Sequence, residues 1–371
     1  MSKLRILHIT SSLKIGGAES LLFDIVRSLD KNEFENFVIY FHNGPNVKKI
    51  EDLGVPIFQV KGLICKYDPI FFWKLFCLIK KIKPNCIHSL LWSANFFSSI
   101  IAKLLNIPIF CVLHSGYNLG SNRDNKLRSF LDKITFFCVN KIICVSQNVY
   151  DITVTKYPMI SGKTIIIKNG IDSNYIVNKG LELCKKRHEF GIKDSDFVIG
   201  TVGRLVPVKN HEFLIEITVL LDKKHDNIKL IIVGEGPLEN LLYKKVKDLG
   251  IVERVFFIKS WQAYGFYPLF DCFVQCSQQE GLSIALLEAM SFGVPCIVTS
   301  VKHEVIVSGS NGYLSNMNLF DLVRAIEFIY NNHNLSRKIG LAGQRTIIDL
   351  FNLQRMIDSY QKLCKSLCIR S

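Results

Sequence analysis

The sequence predicts an α/β chain built from two doubly wound parallel-sheet domains. Short apolar runs that read as strands alternate with longer segments whose apolar residues recur at helical spacing. This is the pattern of parallel sheets covered by helices. The alternation breaks near Asp172 and starts again at Val198. A chain of 371 residues, 49% hydrophobic and 21% charged, has the length for two domains and ample apolar surface for their cores. Its mean hydropathy of +0.23 is high for a soluble chain, and strands buried on both faces explain much of that excess.

The first strand runs from Leu4 to Ile9, followed by a loop from Thr10 to Gly17. Leu21, Leu22, Ile25, Val26 and Leu29 have helical spacing and predict a helix over Ala18 to Leu29. Further strands are expected at Phe37–Phe41, Ile57–Val60, Cys86–His88, Ile109–Leu113, Lys141–Val145 and Ile165–Ile167. Helices are expected between them, including Val47–Leu53 and Pro69–Lys81. Asn169-Gly170 marks a turn, and the domain boundary is placed near Asp172. The second set of strands is Val198–Val202, Lys229–Val233, Arg254–Phe257, Cys272–Gln275 and Cys296–Val298. Pro237 suits the first position of a helix. The tail, Leu353 to Leu367, reads as a helix with Met356, Ile357, Tyr360 and Leu363 spaced for packing. The expected domains are 1–172 and 173–350, with a C-terminal helix over 351–371.

Met1 to Ile9 is too short in its apolar part for a signal peptide. Lys103, Asn106 and Pro108 break the most apolar region, Ser89 to Leu113, so it reads as a buried helix and strand and not as a membrane span. The 12 cysteines are scattered. Cys272/Cys276 and Cys364/Cys368 lack zinc spacing, so reduced, mostly buried thiols and no metal site are expected. Formal net charge is +14, and residues 1–172 hold 22 Lys and Arg against 12 Asp and Glu. An anionic membrane, a phosphorylated acceptor or nucleic acid could each answer that field. In the segment from Lys61 to Lys83, Lys61, Lys66, Lys74, Lys80, Lys81 and Lys83 interleave with Tyr67, Phe71, Phe72, Trp73 and Phe76. Either those rings meet lipid headgroups, or they pack on the sheet while the lysines are merely solvated.

The chemistry concentrates after strand ends. Glu280 precedes a helix and Glu288 lies about two turns inside it, roughly 10 Å away along the axis. Gly281, Leu282 and Ser283 lie where free N–H groups attract phosphate. Two carboxylates so placed can grip hydroxyls on either side of a diphosphate; a plain strand–helix unit with a capping Glu explains the same residues. Gly16-Gly17-Ala18-Glu19 allows close backbone approach at a helix start, or is only a turn. Arg204 and Lys209 share a loop after a strand, as a diphosphate clamp or as solvated charge. Gly234-Glu235-Gly236-Pro237 is a turn. His114 ends the strand Ile109–Leu113 at the sheet's carboxyl edge, where doubly wound folds place ligands.

These segments together resemble the retaining glycosyltransferases of the GT-B fold, family 4 (glycosyl transferases group 1), of the bacterial surface-polysaccharide type. The resemblance rests on Glu280 and Glu288 followed by Ala289-Met290 and Gly293-Val294-Pro295, on Gly203-Arg204-Leu205 with Lys209-Asn210, and on Gly16-Gly17-Ala18-Glu19. His303-Glu304 and Gly309 to Leu314 resemble a further family segment and read as turns. Ser115, and Ser260 before Trp261, depart from the usual pattern. The resemblance implies two Rossmann-like domains facing across a cleft, the first binding an acceptor, the second a nucleotide-diphosphate sugar, UDP- or GDP-linked, and the tail helix returning to the first. It implies donor contacts from Gly16, Gly17, Arg204, Lys209, Glu280, Gly281, Leu282, Ser283 and Glu288, with Glu280, His114, Arg204 and Lys209 at the reaction centre. It also implies sugar transfer with retention to a lipid-linked or saccharide hydroxyl in lipopolysaccharide, capsule or exopolysaccharide synthesis, without metal or cofactor, at the inner face of the cytoplasmic membrane. No nucleic-acid partner is expected. A sugar-nucleotide epimerase of the same fold needs no acceptor, and a phosphorylase needs a pyridoxal lysine motif that is not seen. A non-enzymatic basic protein binding membrane or nucleic acid would not need Arg204, Lys209, Glu280 and Glu288 together.

Overall fold

The computed structural model describes residues 3–14, 16–62, 68–114, 126–260, 263–300 and 303–369. Ser115, Trp261, Lys66 and Tyr67 lie outside the described residues. The chain forms two compact units, Met1–Gly170 with Leu353–Ser371, and Ile171–Asn352.

The first unit alternates β1 (Leu4–Ser12), α1 (Gly17–Ser28), β2 (Phe34–His42), α2 (Asn46–Glu51), β3 (Ile57–Gln59), α3 (Pro69–Ile82) and β4 (Cys86–Leu90). It continues with α4 (Trp92–Leu105), β5 (Ile109–Leu113), α5 (Lys126–Cys138), β6 (Lys141–Cys144), α6 (Gln147–Lys156) and β7 (Thr164–Ile166). The seven strands order as β3-β2-β1-β4-β5-β6-β7. β4 and β5 are buried along their whole length, because helices cover both faces of the sheet. The chain order reverses beside β1, so the switch point falls between β1 and β4.

The second unit contains α7 (Ser173–Glu182), β8 (Phe197–Val202), α8 (His211–Asp222), β9 (Ile228–Val233), α9 (Glu239–Asp248) and β10 (Val255–Ile258). Then follow β11 (Cys272–Gln275), α10 (Ile284–Ser291), β12 (Cys296–Thr299), β13 (Tyr313–Ser315), α11 (Leu319–Asn331) and α12 (His333–Leu350). Its six strands order as β10-β9-β8-β11-β12-β13. Every pairing between named strands of both sheets, among the described residues, is parallel. Ile199, Leu230, Ile232, Val274, Ile297 and Ile326 lie in one core, none of them solvent-exposed.

The last helix, α13 (Leu353–Cys368), belongs to the first unit. It buries Met356, Ile357, Tyr360, Leu363 and Cys364, and the Tyr360 ring lies 5.4 Å from His88 and 6.0 Å from Phe110.

Three details differ from the sequence expectations. Pro237 is not the first helical residue: α9 starts at Glu239, and the Leu238 N–H is committed to the Leu205 carbonyl at 3.1 Å, which holds Pro237 in the preceding turn. The segment read only as turns between Gly309 and Leu314 ends in a short strand, β13, paired with β12. Third, α3 divides its aromatics. Phe71 is buried and meets Phe41 edge-on at 4.7 Å, whereas Ile70 and Trp73 are exposed beside Lys74.

Candidate active site

The chemistry of the second unit gathers at the carboxyl ends of β8, β9 and β11. The loop after β8 carries Arg204 and Lys209, and a single 3-10 turn, Pro207–Lys209, places Lys209. His211, buried at the start of α8, bonds its Nε2 to the Arg204 carbonyl at 3.2 Å and so ties the two ends of that loop together. Burial lowers the His211 pKa to about 4, which keeps the ring neutral. Gly234 follows β9 at φ 150°, and a Cβ there would sit 2.0 Å from the Gly203 carbonyl oxygen. Only glycine lets the β8 and β9 loops approach so closely.

Glu280, on the loop after β11, forms an ion pair with Lys209. The Ser277 hydroxyl donates to the same carboxylate at 2.9 Å, and the Gln278 N–H donates to the Val208 carbonyl at 2.9 Å. The two loops are thus fastened to each other by backbone as well as by charge. His303, after β12, accepts on Nδ1 from the Val305 and Ile306 N–H groups at 3.2 and 3.3 Å. Burial lowers its pKa, opposed by the charges of Glu304 and Glu280.

Ser283 caps α10, its Oγ accepting from Leu286 N–H at 3.3 Å, so one of the free donors at that helix start is already satisfied. Gly281 and Leu282 lie between Glu280 and this cap. Glu288 is buried within α10, where it accepts from the Tyr267 hydroxyl at 2.6 Å. Burial first, and then the Glu288 charge, raise the Tyr267 pKa well above its ordinary value, so Tyr267 remains a donor. Arg204 is exposed, and no carboxylate among the described residues forms an ion pair with it.

In the first unit, Gly16 and Gly17 open α1 at the end of β1, with the Glu19 carboxylate folded back toward Gly16. His114 follows β5; its Nε2 is buried without a hydrogen-bond partner among the described residues, and burial lowers its pKa to about 4. Leu91 joins β4 to α4 at φ 68° and ψ 153°, a strained conformation for a side chain with Cβ. It sits at the same sheet edge as His114, and no residue-type signal marks it. Ser277, Tyr267 and His211 were likewise not singled out by the sequence. Among the described residues, no group of three His, Cys, Asp or Glu is placed to hold a metal ion. No helix among them is long and apolar enough to cross a membrane.

Residues 184–346 match the family described as glycosyl transferases group 1, and residues 15–175 match glycosyltransferase family 4. The chain carries the two domains of a GT-B glycosyltransferase. An Escherichia coli relative, UDP-Gal:alpha-D-GlcNAc-diphosphoundecaprenol alpha-1,3-galactosyltransferase, is 26% identical, covering 98% of this chain and 97% of its own. The capsular polysaccharide biosynthesis glycosyltransferase CapM of Staphylococcus aureus is 25% identical over 84% of this chain and 85% of its own. Among solved structures, the Anabaena protein HepE in complex with UDP-glucose superposes with a TM-score of 0.83 at 19% identity, covering 98% of this chain and 100% of that one. A glycosyltransferase from Rickettsia africae gives 0.83 at 17% identity, with both chains fully covered. At these identities the structural matches establish the fold of this glycosyltransferase.

Proposed function

We propose that this glycosyltransferase moves a sugar from a nucleoside-diphosphate sugar to a hydroxyl of a lipid-linked saccharide, with retention at the anomeric carbon, in bacterial surface-polysaccharide assembly. The observation that carries the reading is the joined pair of loops after β8 and β11, where Lys209, Glu280 and Ser277 meet; the loop after β8 also carries the exposed Arg204. The first unit takes the acceptor, with His114 and the Gly16–Gly17 loop at its sheet edge. A UDP donor is supported by the UDP-Gal of the Escherichia coli relative's name and the UDP-glucose bound to HepE; a GDP donor suits the same phosphate clamp. The diphosphoundecaprenol in the relative's name supports a lipid-linked acceptor, and hence action at the inner face of the cytoplasmic membrane.

In the step proposed, the bond from the anomeric carbon to the phosphate oxygen breaks and the bond to the acceptor oxygen forms on the same face. The acceptor proton passes to the departing phosphate. Arg204 and Lys209 stabilise the charge growing on the diphosphate. Glu280 holds sugar hydroxyls and Glu288 the ribose. The neutral His114 imidazole positions the acceptor and sugar by hydrogen bonding.

A thermal-shift series with UDP, GDP, ADP and CMP, followed by transfer assays with the stabilising nucleotide's sugars, tests this reading. One nucleoside diphosphate should raise the melting temperature, because it binds the folded state alone. The product anomer should match the donor's on NMR. Inverted product would refute retention, and conversion of the sugar nucleotide without acceptor would favour the epimerase reading. Transfer should persist in EDTA, because Arg204 and Lys209 supply positive charge at the diphosphate; loss restored by Mg²⁺ or Mn²⁺ would refute that part.

A further inference from the structure

The turn after β12 carries a histidine with one nitrogen committed and the other unused. His303 Nδ1 accepts from the Val305 and Ile306 N–H groups at 3.2 and 3.3 Å. Both partners are backbone amides, which only donate, so Nδ1 presents its lone pair to them. The ring proton therefore sits on Nε2, and that nitrogen is a donor. Among the described residues nothing bonds to Nε2, and the ring is only half-buried. The turn that holds the ring is itself packed. Val305 and Ile306 are buried, and Asn311 donates to the Val305 carbonyl at 2.9 Å and accepts from the Val307 N–H at 2.7 Å. The imidazole thus stands on a firm support with one N–H left over.

Its surroundings decide what that N–H can meet. β11 and β12 are paired, Gln275 beside Val298, and Thr299 Oγ1 donates to the Gln275 carbonyl at 3.3 Å. The loop carrying Glu280 and the turn carrying His303 therefore leave the same edge of the sheet from adjacent strands. Burial lowers the pKa of the ring, and the charges of Glu304 and Glu280 oppose that shift, so Glu280 lies within electrostatic reach of it. A carboxylate only accepts, and this Nε2–H only donates. The group that suits both is a hydroxyl, which gives its proton to one and takes a hydrogen bond from the other. A phosphate suits them poorly, because Glu280 repels it. Along the edge the strands run β8, β11, β12. The cations Arg204 and Lys209 follow β8, Glu280 follows β11, and the N–H donor follows β12, an order that leads away from the diphosphate toward an uncharged, hydroxylated group.

We propose that His303 Nε2–H donates to a hydroxyl of the transferred sugar, next to the hydroxyls held by Glu280, and that this contact helps to set which sugar the enzyme accepts. The proposal deepens the functional reading above and rests on it. It gives substrate recognition to a segment that the sequence offered only as turns. A sugar that lacks this hydroxyl, or carries it in the other configuration, leaves the N–H unpaired in the closed site, which is how a polar site rejects a wrong substrate. The nucleoside diphosphate itself does not reach His303 and binds without it.

The test separates the two ring nitrogens. His303→Asn keeps an acceptor where Nδ1 stands and removes the Nε2 donor. His303→Gln keeps an N–H near the Nε2 position and removes the acceptor. Calorimetric titration first measures UDP, GDP and ADP on the parent and both variants. It then measures the sugar nucleotides of the base that binds: UDP-glucose, UDP-galactose and UDP-N-acetylglucosamine, or GDP-mannose, or ADP-glucose, each beside its analogues deoxygenated singly at C3, C4 and C6. In the parent, one deoxygenation should weaken binding about tenfold, the loss of one hydrogen bond in a polar site. In His303→Asn that penalty should shrink to about twofold or less, with the affinity for the free nucleoside diphosphate unchanged, since residue and hydroxyl no longer couple. His303→Gln should recover part of the penalty. A histidine that only holds the turn gives the reverse: Asn behaves as the parent, and Gln weakens every ligand alike. If both variants misfold, NMR of the parent with isotopically labelled histidine rings decides, because the sugar nucleotide, and not the free nucleoside diphosphate, should shift the Nε2–H resonance of His303. The proposal is overturned if no deoxygenation weakens binding to the parent, if His303→Asn keeps the full penalty, or if the Nε2–H resonance is indifferent to the sugar. A parent that binds no nucleoside diphosphate refutes the donor-site reading itself, and this proposal with it.

Discussion

Lys209 is already neutralised by its own protein. Its ammonium pairs with Glu280, which also accepts from Ser277, while Arg204 stands exposed without a carboxylate partner among the described residues. On the proposed reading, an incoming diphosphate would meet Arg204 directly and compete with Glu280 for Lys209. Arg204→Ala should lower kcat/KM by roughly tenfold to a hundredfold, the worth of one charge-assisted contact to phosphate. Lys209→Ala should cost more than that contact, because it also removes the cation paired with the Glu280 carboxylate, whose charge then opposes the diphosphate. Adding Glu280→Gln to Lys209→Ala should then restore part of the nucleoside-diphosphate affinity, a non-additivity that a double-mutant cycle measures; strictly additive losses would show that the pair is not coupled. Glu288 differs from Glu280 in kind. It is buried and held by Tyr267 at 2.6 Å, so its carboxylate is fixed before ligand arrives. Glu288→Gln should mainly weaken nucleotide binding and Glu280→Gln mainly lower turnover. Calorimetric titration of the nucleoside diphosphate into both variants checks this, and equal affinity losses would refute the division.

Helix α13 shows how one element far along the chain completes a core begun by the first residues. Its Tyr360 packs against His88 and Phe110, which lie on β4 and β5. Tyr360→Ala should destabilise the first unit by about 3 kcal/mol or more, the usual cost of deleting a buried aromatic; urea unfolding followed by circular dichroism reads it, and a loss below about 1 kcal/mol would show that the helix is dispensable. This helix was legible from Met356, Ile357, Tyr360 and Leu363 because helical spacing is a local signal. The strands Ile109–Leu113 and Cys272–Gln275 have the bounds that the sequence predicts for them. β13 was not legible: it is three residues long, and what makes it a strand is its register with β12. Pro237 misled for a related reason, since the start of α9 is set by the Leu205 carbonyl some thirty positions earlier. The site divides in the same way. Glu280, Lys209 and Arg204 announce themselves by charge at strand ends. Ser277 and Tyr267 are ordinary residues until the fold brings them to a carboxylate, and the strain at Leu91 is invisible in its type.

On the scale of the whole molecule, buried neutral histidines make the fold sensitive to acid. In the first unit His8 and His88 bond through their Nδ1 atoms at 2.9 Å, and His8 also bonds Asn36 at 3.1 Å. Burial lowers the His8 and His114 pKa values to about 4 and lowers that of His88 further, helped by the charges of His8 and His114. The second unit adds His211, at about 4, and His303. Each folded-state value lies below the unfolded one of about 6.5. The unfolded chain therefore takes up protons first as pH falls, and stability is full above about 6.5 and declines toward 4. Each such histidine contributes up to about 1.4 kcal/mol per pH unit in that window. The formal charge of +14 works in the same direction, since every histidine that ionises adds to a chain that is already strongly positive. Glu189, Asp321 and Glu327, whose pKa values are lowered by their hydrogen bonds, extend the loss below the ordinary carboxylate range. Of the five histidines named here whose pKa burial lowers, three lie in the first unit, so its transition should move more. Calorimetric scans between about pH 7.5 and 5 should show the melting temperature falling steeply. Where two transitions resolve, the one assigned to the first unit by Tyr360→Ala should fall further. His8→Gln, which removes one titrating ring, should flatten that unit's pH dependence even if it lowers its stability at neutral pH. A melting temperature level across this range, or a slope unchanged in His8→Gln, would show that these rings do not set the acid limit of the fold.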